Sequence, residues 1–168
     1  MNLYLMRHGI AVAKDNPKTH SDEERALTKK GAKRVRKAAK GLSKLDVAFD
    51  RILTSPLPRA RQTAEIVAKV LEMEEQLEEA PELAPEASVK NLATRLAGYS
   101  QCQDLLLVGH QPFLGKAASF LLARNESAEI DLKKGGVCCI EVNEFDMNKP
   151  GILHWMLTPR QLRMLRYT

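Results

Sequence analysis

Leu3, Tyr4, Leu5 and Met6 form an unbroken apolar run that stops at Arg7-His8-Gly9. Four apolar residues in a row leave no polar face for water, so the run reads as a strand buried on both sides. The pattern returns in Asp104-Leu105-Leu106-Leu107-Val108, which stops at Gly109-His110, and in shorter form in Arg51-Ile52-Leu53-Thr54, which stops at Ser55-Pro56. Strands of this kind need helices on both faces, and the segments between them have helical spacing. The expected architecture is therefore a three-layer α/β/α sandwich with a mostly parallel sheet.

Thr28 is placed to cap a helix reaching to about Leu45, with Ala32, Val35, Ala39 and Leu42 on its inner face. A second helix opens at Pro56 to Pro58 and turns Ala60, Thr63, Ala64, Val67, Ala68 and Leu71 inward. Residues 89–99 suit a third helix, and Pro112 opens a fourth that runs through Leu122. Residues 136–142 and 152–157 read as two further strands. Residues 10–26 form a long polar loop, and residues 74–87, acidic and proline-bearing, read as irregular. No repeat or linker interrupts the 168 residues, so one domain over 1–168 is expected.

Composition removes several function classes. Apolar residues make up 44% and charged residues 28%, which suits a globular chain. No apolar run approaches the roughly 18 residues of a membrane span, and no basic segment leads into an apolar signal region. Three cysteines, two of them adjacent (Cys138 and Cys139), do not make a disulfide framework, so a reducing cytoplasm is the expected compartment. Much of the net charge of +5 is local, in Lys29, Lys30, Lys33, Arg34, Arg36, Lys37 and Lys40. That run lacks an aromatic residue to stack a base and its apolar positions are helical, so it reads as a solvated helix face rather than a nucleic-acid surface.

Ligands bind a parallel sheet beyond the carboxyl ends of its strands. If the three runs are parallel neighbours, Arg7, His8, Arg59 and His110 converge on one pocket. Guanidinium groups match phosphate oxygens, and a neutral imidazole can accept a phosphoryl group on nitrogen. Zinc is the competing use for two histidines. The other two, His20 and His154, have no ligand spacing, no Cys-x-x-Cys pair exists, and neighbouring arginines would repel a cation. No metal and no cofactor is expected. Neither a Gly-x-Ser-x-Gly elbow nor a P-loop is present.

Met6-Arg7-His8-Gly9, Ser55-Pro56-Leu57-Pro58-Arg59-Ala60-Arg61-Gln62-Thr63 and Val108-Gly109-His110 together resemble the histidine phosphatase superfamily, with its phosphoglycerate mutase-like fold. Arg25-Ala26-Leu27-Thr28-Lys29-Lys30-Gly31, Pro81-Glu82-Leu83-Ala84-Pro85 and Trp155-Met156-Leu157-Thr158-Pro159 are most similar to its SixA-type phosphohistidine phosphatases. The resemblance implies that His8 is the nucleophile, that Arg7 and Arg59 clamp the phosphoryl oxygens, and that His110 adds a donor. It also implies that Arg25 lines the pocket, where the alternative is a surface arginine on a loop. Glu82 is the candidate general acid by motif, against one more surface glutamate in an acidic stretch.

The implied activity is a metal-independent phosphatase acting on phosphohistidine in a protein, such as a phosphotransfer domain. Two alternatives stay open: a small phosphomonoester as substrate with the same mechanism, and a non-catalytic phosphate-binding module. Only about 30 residues separate the Arg59 helix from the strand ending at His110. That is little chain for an inserted lid, and an open pocket favours a phosphohistidine projecting from a folded partner.

Overall fold

The computed structural model describes residues 1–17, 21–143 and 149–167. Its chain runs β1 (Asn2–Arg7), α1 (Lys29–Leu42), β2 (Arg51–Thr54), α2 (Pro58–Leu71), β3 (Leu77–Glu79), α3 (Val89–Ala97), β4 (Asp104–Gly109), α4 (Phe113–Ala123), β5 (Val137–Glu141), β6 (Ile152–Leu157) and α5 (Pro159–Leu165). The strands form one sheet in the order β3-β2-β4-β1-β5-β6. β1, β2, β3 and β4 are mutually parallel, and β5 is antiparallel to both β1 and β6.

Alternation along the central strands divides the core in two. Leu3, Leu5, Leu105 and Leu107 pack with Leu92, Leu96, Leu114 and Ala118, so α3 and α4 cover one face. Tyr4, Met6, Leu106 and Val108 pack with Val35, Ala39, Ala64, Val67 and Leu162, so α1, α2 and α5 cover the other. This is the expected three-layer sandwich, and it explains the unbroken apolar runs: each strand must satisfy both layers.

The connections create the site. From β1 the chain passes through α1 on one face to β2, beyond β4. From β4 it passes through α4 on the other face to β5, beyond β1. Adjacent strands whose connections leave in opposite directions open a crevice at their carboxyl ends. Here those strands are the two central ones.

Three expectations change. Residues 74–87 are not wholly irregular: Leu77–Glu79 is an edge strand paired in parallel with β2. A three-residue strand with two glutamates carries no apolar alternation to reveal it, and charge on a sheet edge discourages pairing with other chains. The first helix ends at Leu42 rather than near Leu45, with turns over 43–46. A fifth helix follows β6, capped reciprocally by Thr158 and Gln161 with Pro159 in its first turn. Between α2 and β4 the chain holds β3, two 3₁₀ turns (Glu74–Gln76 and Pro81–Leu83) and α3, with Leu83, Val89, Leu92 and Leu96 in the core. No large insert stands over the crevice among the described residues.

Candidate active site

His8 and His110 each extend a central strand by one residue beyond its last hydrogen-bonded pair, Arg7 with Gly109. The His8 amide donates to the Gly109 carbonyl at 3.0 Å. Both histidines fall on the side of Met6 and Val108 and bring their rings to 5.1 Å between centroids. They are 6% and 2% exposed.

The segment after His8 is held from two directions. The Gly9 amide donates to Thr63 Oγ1 (3.0 Å), and that hydroxyl donates to the Arg59 carbonyl (2.7 Å), which ties the first turn of α2 to the end of β1. The Ile10 carbonyl accepts from the Thr28 amide at 2.9 Å. Thr28 Oγ1 in turn caps α1 by accepting from the Gly31 amide at 2.9 Å. A Cβ on Gly31 would lie 2.1 Å from the Ile10 oxygen, so α1 approaches this closely only because residue 31 is glycine.

A pocket of about 590 Å³ opens over the two histidines, lined among others by Arg7, Arg25, Arg59, Lys14, Lys134 and Asp22. Arg7 is anchored by Nη1, which donates to the Leu132 carbonyl at 2.8 Å and lies 3.5 Å from Asp131. Arg25 is buried rather than spread on the surface: Nε donates to the Val12 carbonyl and Nη1 to Asp22. Arg59 sends both terminal nitrogens to Asp22. The Nε atoms of Arg7 and Arg59 are buried without a partner.

The imidazoles are chemically distinct from surface histidines. His8 Nδ1 lies 2.7 Å from the Gly9 carbonyl, which can only accept, so Nδ1 carries the proton and Nε2 keeps its lone pair. Burial pushes His8 down to about 4, and the Arg59 and Arg7 charges add to this against the Gly9 hydrogen bond. Burial, then the charges of His8 and Arg59, push His110 down to about 3. Both rings are neutral at pH 7. His110 Nε2 sits 2.8 Å from Ser55 Oγ, and its Nδ1 is buried without a partner. Chemically, the pocket offers one nitrogen nucleophile, one unspent imidazole nitrogen and three guanidinium groups.

Of the residues marked in the sequence, His8, Arg7, Arg59, His110 and Arg25 meet at this pocket, whereas Glu82 is not among the residues that line it. Glu82 stands half-buried in the 3₁₀ turn with Oε2 unpartnered, and Glu86, a few residues on, lines the pocket instead. His154 pairs with Glu141 on the surface, and His20 lies outside the described residues. Cys138 and Cys139 pack in the core, and all three cysteines are free thiols. The basic residues of α1 face solvent, as expected, apart from a half-buried Lys37. Among the described residues, no three His, Cys, Asp or Glu side chains gather to hold a metal ion, and no helix is long and apolar enough to cross a membrane.

Ser55, Thr63 and Asp22 escaped the sequence reading as site residues. Thr63 left a signal, a hydroxyl on an otherwise small apolar helix face, and Ser55 stood at a marked strand end. Asp22 left none.

Comparison with known proteins identifies the family. The model of the histidine phosphatase superfamily (branch 1) matches residues 3–84. An uncharacterised protein of Picosynechococcus is 40% identical over 139 residues, 82% of each chain. The phosphohistidine phosphatase SixA of Escherichia coli is 28% identical over 170 residues, 99% of each. The solved structure of the protein histidine phosphatase SixA complexed with tungstate superposes with a TM-score of 0.83 at 27% identity, covering 96% of this chain and 99% of that one. With paired strand-end histidines inside a ring of arginines and relatives matched along nearly its whole length, this chain belongs to the histidine phosphatase superfamily and is of the SixA type.

Proposed function

We propose that the chain hydrolyses phosphohistidine on a protein through a phosphoryl group carried on His8. His8 Nε2 attacks phosphorus and forms a P–N bond. The substrate's P–N bond breaks, its electron pair stays on the departing imidazole nitrogen, and that nitrogen takes up a proton. Water then attacks phosphorus, the pair returns to His8 Nε2, and orthophosphate leaves. The observation that carries this reading is the His8 ring itself: tied at Nδ1 to Gly9 and neutral at pH 7, it offers Nε2 beside Arg7, Arg25 and Arg59. Such fixed charges suit phosphoryl transfer, where positioning and electrostatics dominate. The SixA relative binds tungstate, an oxyanion similar to phosphate, which supports the same use of this pocket.

His110 supplies a donor in the tautomer where the Ser55 hydroxyl, which also accepts weakly from the Leu57 amide (3.3 Å), donates to Nε2. The proton then rests on the unpartnered Nδ1, free for a phosphoryl oxygen. No strong general acid is needed for a labile P–N bond. Asp22 could not be one, since the Arg25 hydrogen bond holds its carboxyl below the usual range.

The substrate is proposed to be a protein because no insert closes the pocket among the described residues and its rim is basic, with Lys14 and Lys134. Of the basic helix, only the first turn of α1 begins at this end of the sheet, so the pocket rim rather than α1 makes most of the contact. Rapid quench with a labelled phosphohistidine phosphocarrier should trap an acid-labile, base-stable phosphate on His8, absent from His8→Ala. Turnover should survive a strong chelator and be inhibited by vanadate. An adduct on another residue overturns the mechanism. Higher kcat/KM on a sugar or nucleotide phosphate overturns the substrate and leaves the His8 chemistry standing.

A further inference from the structure

Asp22 has no part in that mechanism, yet it is the partner most closely bound to the arginines. Its Oδ1 accepts from Arg25 Nη1 at 2.6 Å and its Oδ2 from Arg59 Nη2 at 2.9 Å. Its backbone carbonyl accepts from Arg59 Nη1 at 2.7 Å, and Lys14 Nζ lies 3.6 Å from Oδ1. The guanidinium side chains are 10% and 4% exposed, against 42% for Asp22. Two carboxylate oxygens bridging two buried arginines is the arrangement a phosphoryl group would adopt. Neither arginine is saturated, because each terminal nitrogen carries two protons and Arg59 Nε has no partner.

We propose that Asp22 is a built-in counter-anion that orients Arg25 and Arg59 toward the pocket and limits how tightly the pocket retains free phosphate. The inference rests on the phosphoryl-binding reading of the pocket. Its logic is that a site with three arginines and two nearby lysines would hold orthophosphate strongly, and binding the product gives no catalysis. A fixed negative charge against the same guanidiniums weakens every anion, but weakens least the state in which the phosphoryl group is bonded to His8 and need not be held by charge alone. Asp22 is thus a positioning residue that acts through the arginines.

The test is calorimetric titration of inorganic phosphate into the native chain, Asp22→Asn and Asp22→Ala at neutral pH. Asp22→Asn keeps the shape and an acceptor oxygen but removes the charge. Its phosphate Kd should fall about tenfold, on the scale of one charge removed at hydrogen-bond distance from a partly exposed pair. Product inhibition by phosphate should tighten by the same factor. A residue with only a structural role would not raise affinity when lost. Asp22→Ala, which also releases the arginines, should gain less than Asp22→Asn. Unchanged or weaker phosphate binding in Asp22→Asn overturns the inference alone. Equal gains in both variants overturn its orienting half. A native chain that binds no orthophosphate overturns the pocket reading and this inference together.

Discussion

The rings of His8 and His110 lie 5.1 Å apart because Met6 pairs with Val108 in the register of the two central strands. One position beyond Arg7 and Gly109, both side chains emerge on the same side of the sheet. A slip of one residue would send one ring to each face.

That burial makes a prediction about pH. His8 and His110 titrate near 4 and 3 when folded, below the ordinary value of 6.5 they recover on unfolding. The unfolded chain therefore binds more protons between about 6.5 and 3, and stability should fall as pH falls through that window. Chemical denaturation across it should show the slope, reduced in His8→Gln. His8 or His110 ring signals titrating near 6.5 in the folded chain would contradict the burial argument.

Arg59→Ala should slow turnover about a hundredfold, on the order of 3 kcal/mol of barrier for one fixed charge donor. Arg59→Lys should recover little of it, because an ammonium cannot span the Asp22 carbonyl and carboxylate as the guanidinium does. Steady-state kinetics on a phosphohistidine protein decide this.

Ser55→Ala should lower kcat about fivefold while leaving KM nearly unchanged, the scale of one lost hydrogen bond of about 1 kcal/mol. The hydroxyl reaches His110 and does not line the pocket, so its loss frees the ring to turn or change tautomer. A KM effect without a kcat effect would mean that Ser55 serves binding instead.

Two glycines should separate stability from activity. A Cβ on Gly41 would lie 1.6 Å from the Leu162 oxygen, where α1 crosses α5. Gly41→Ala should cost about 1–3 kcal/mol in unfolding free energy with kcat of the folded fraction kept. A Cβ on Gly31 would press on Ile10, two residues past His8. Gly31→Ala should therefore lower kcat as well as stability. Equilibrium unfolding and kinetics on both variants check the contrast.

The strands that carry the site were legible because burial on both faces leaves a run such as Leu105-Leu106-Leu107-Val108 that few other structures tolerate. Gly31 was visible as part of a motif, but its reason, the carbonyl of Ile10, was not. β3 went unread because its pairing with β2 comes from backbone hydrogen bonds, which any sequence can make, while its glutamates answer to Arg61, Arg95 and Tyr99. The Thr158-Pro159 start of α5 held a helix signal in Thr158 and Gln161, too short to stand without the packing of Leu162.

By itself the sequence determined which strands are buried, that they end in Arg7-His8, Ser55 and His110, and which side chains could meet a phosphate. These follow from local periodicity, which burial imposes on each element separately. Only the tertiary structure decided that Asp22 closes on Arg25 and Arg59, that Ser55 takes His110 Nε2, and that Glu86 rather than Glu82 lines the pocket. Those contacts join residues three to 55 positions apart across loops and strand ends. There, no period governs which side chain faces which, and the choice is made by how the layers pack.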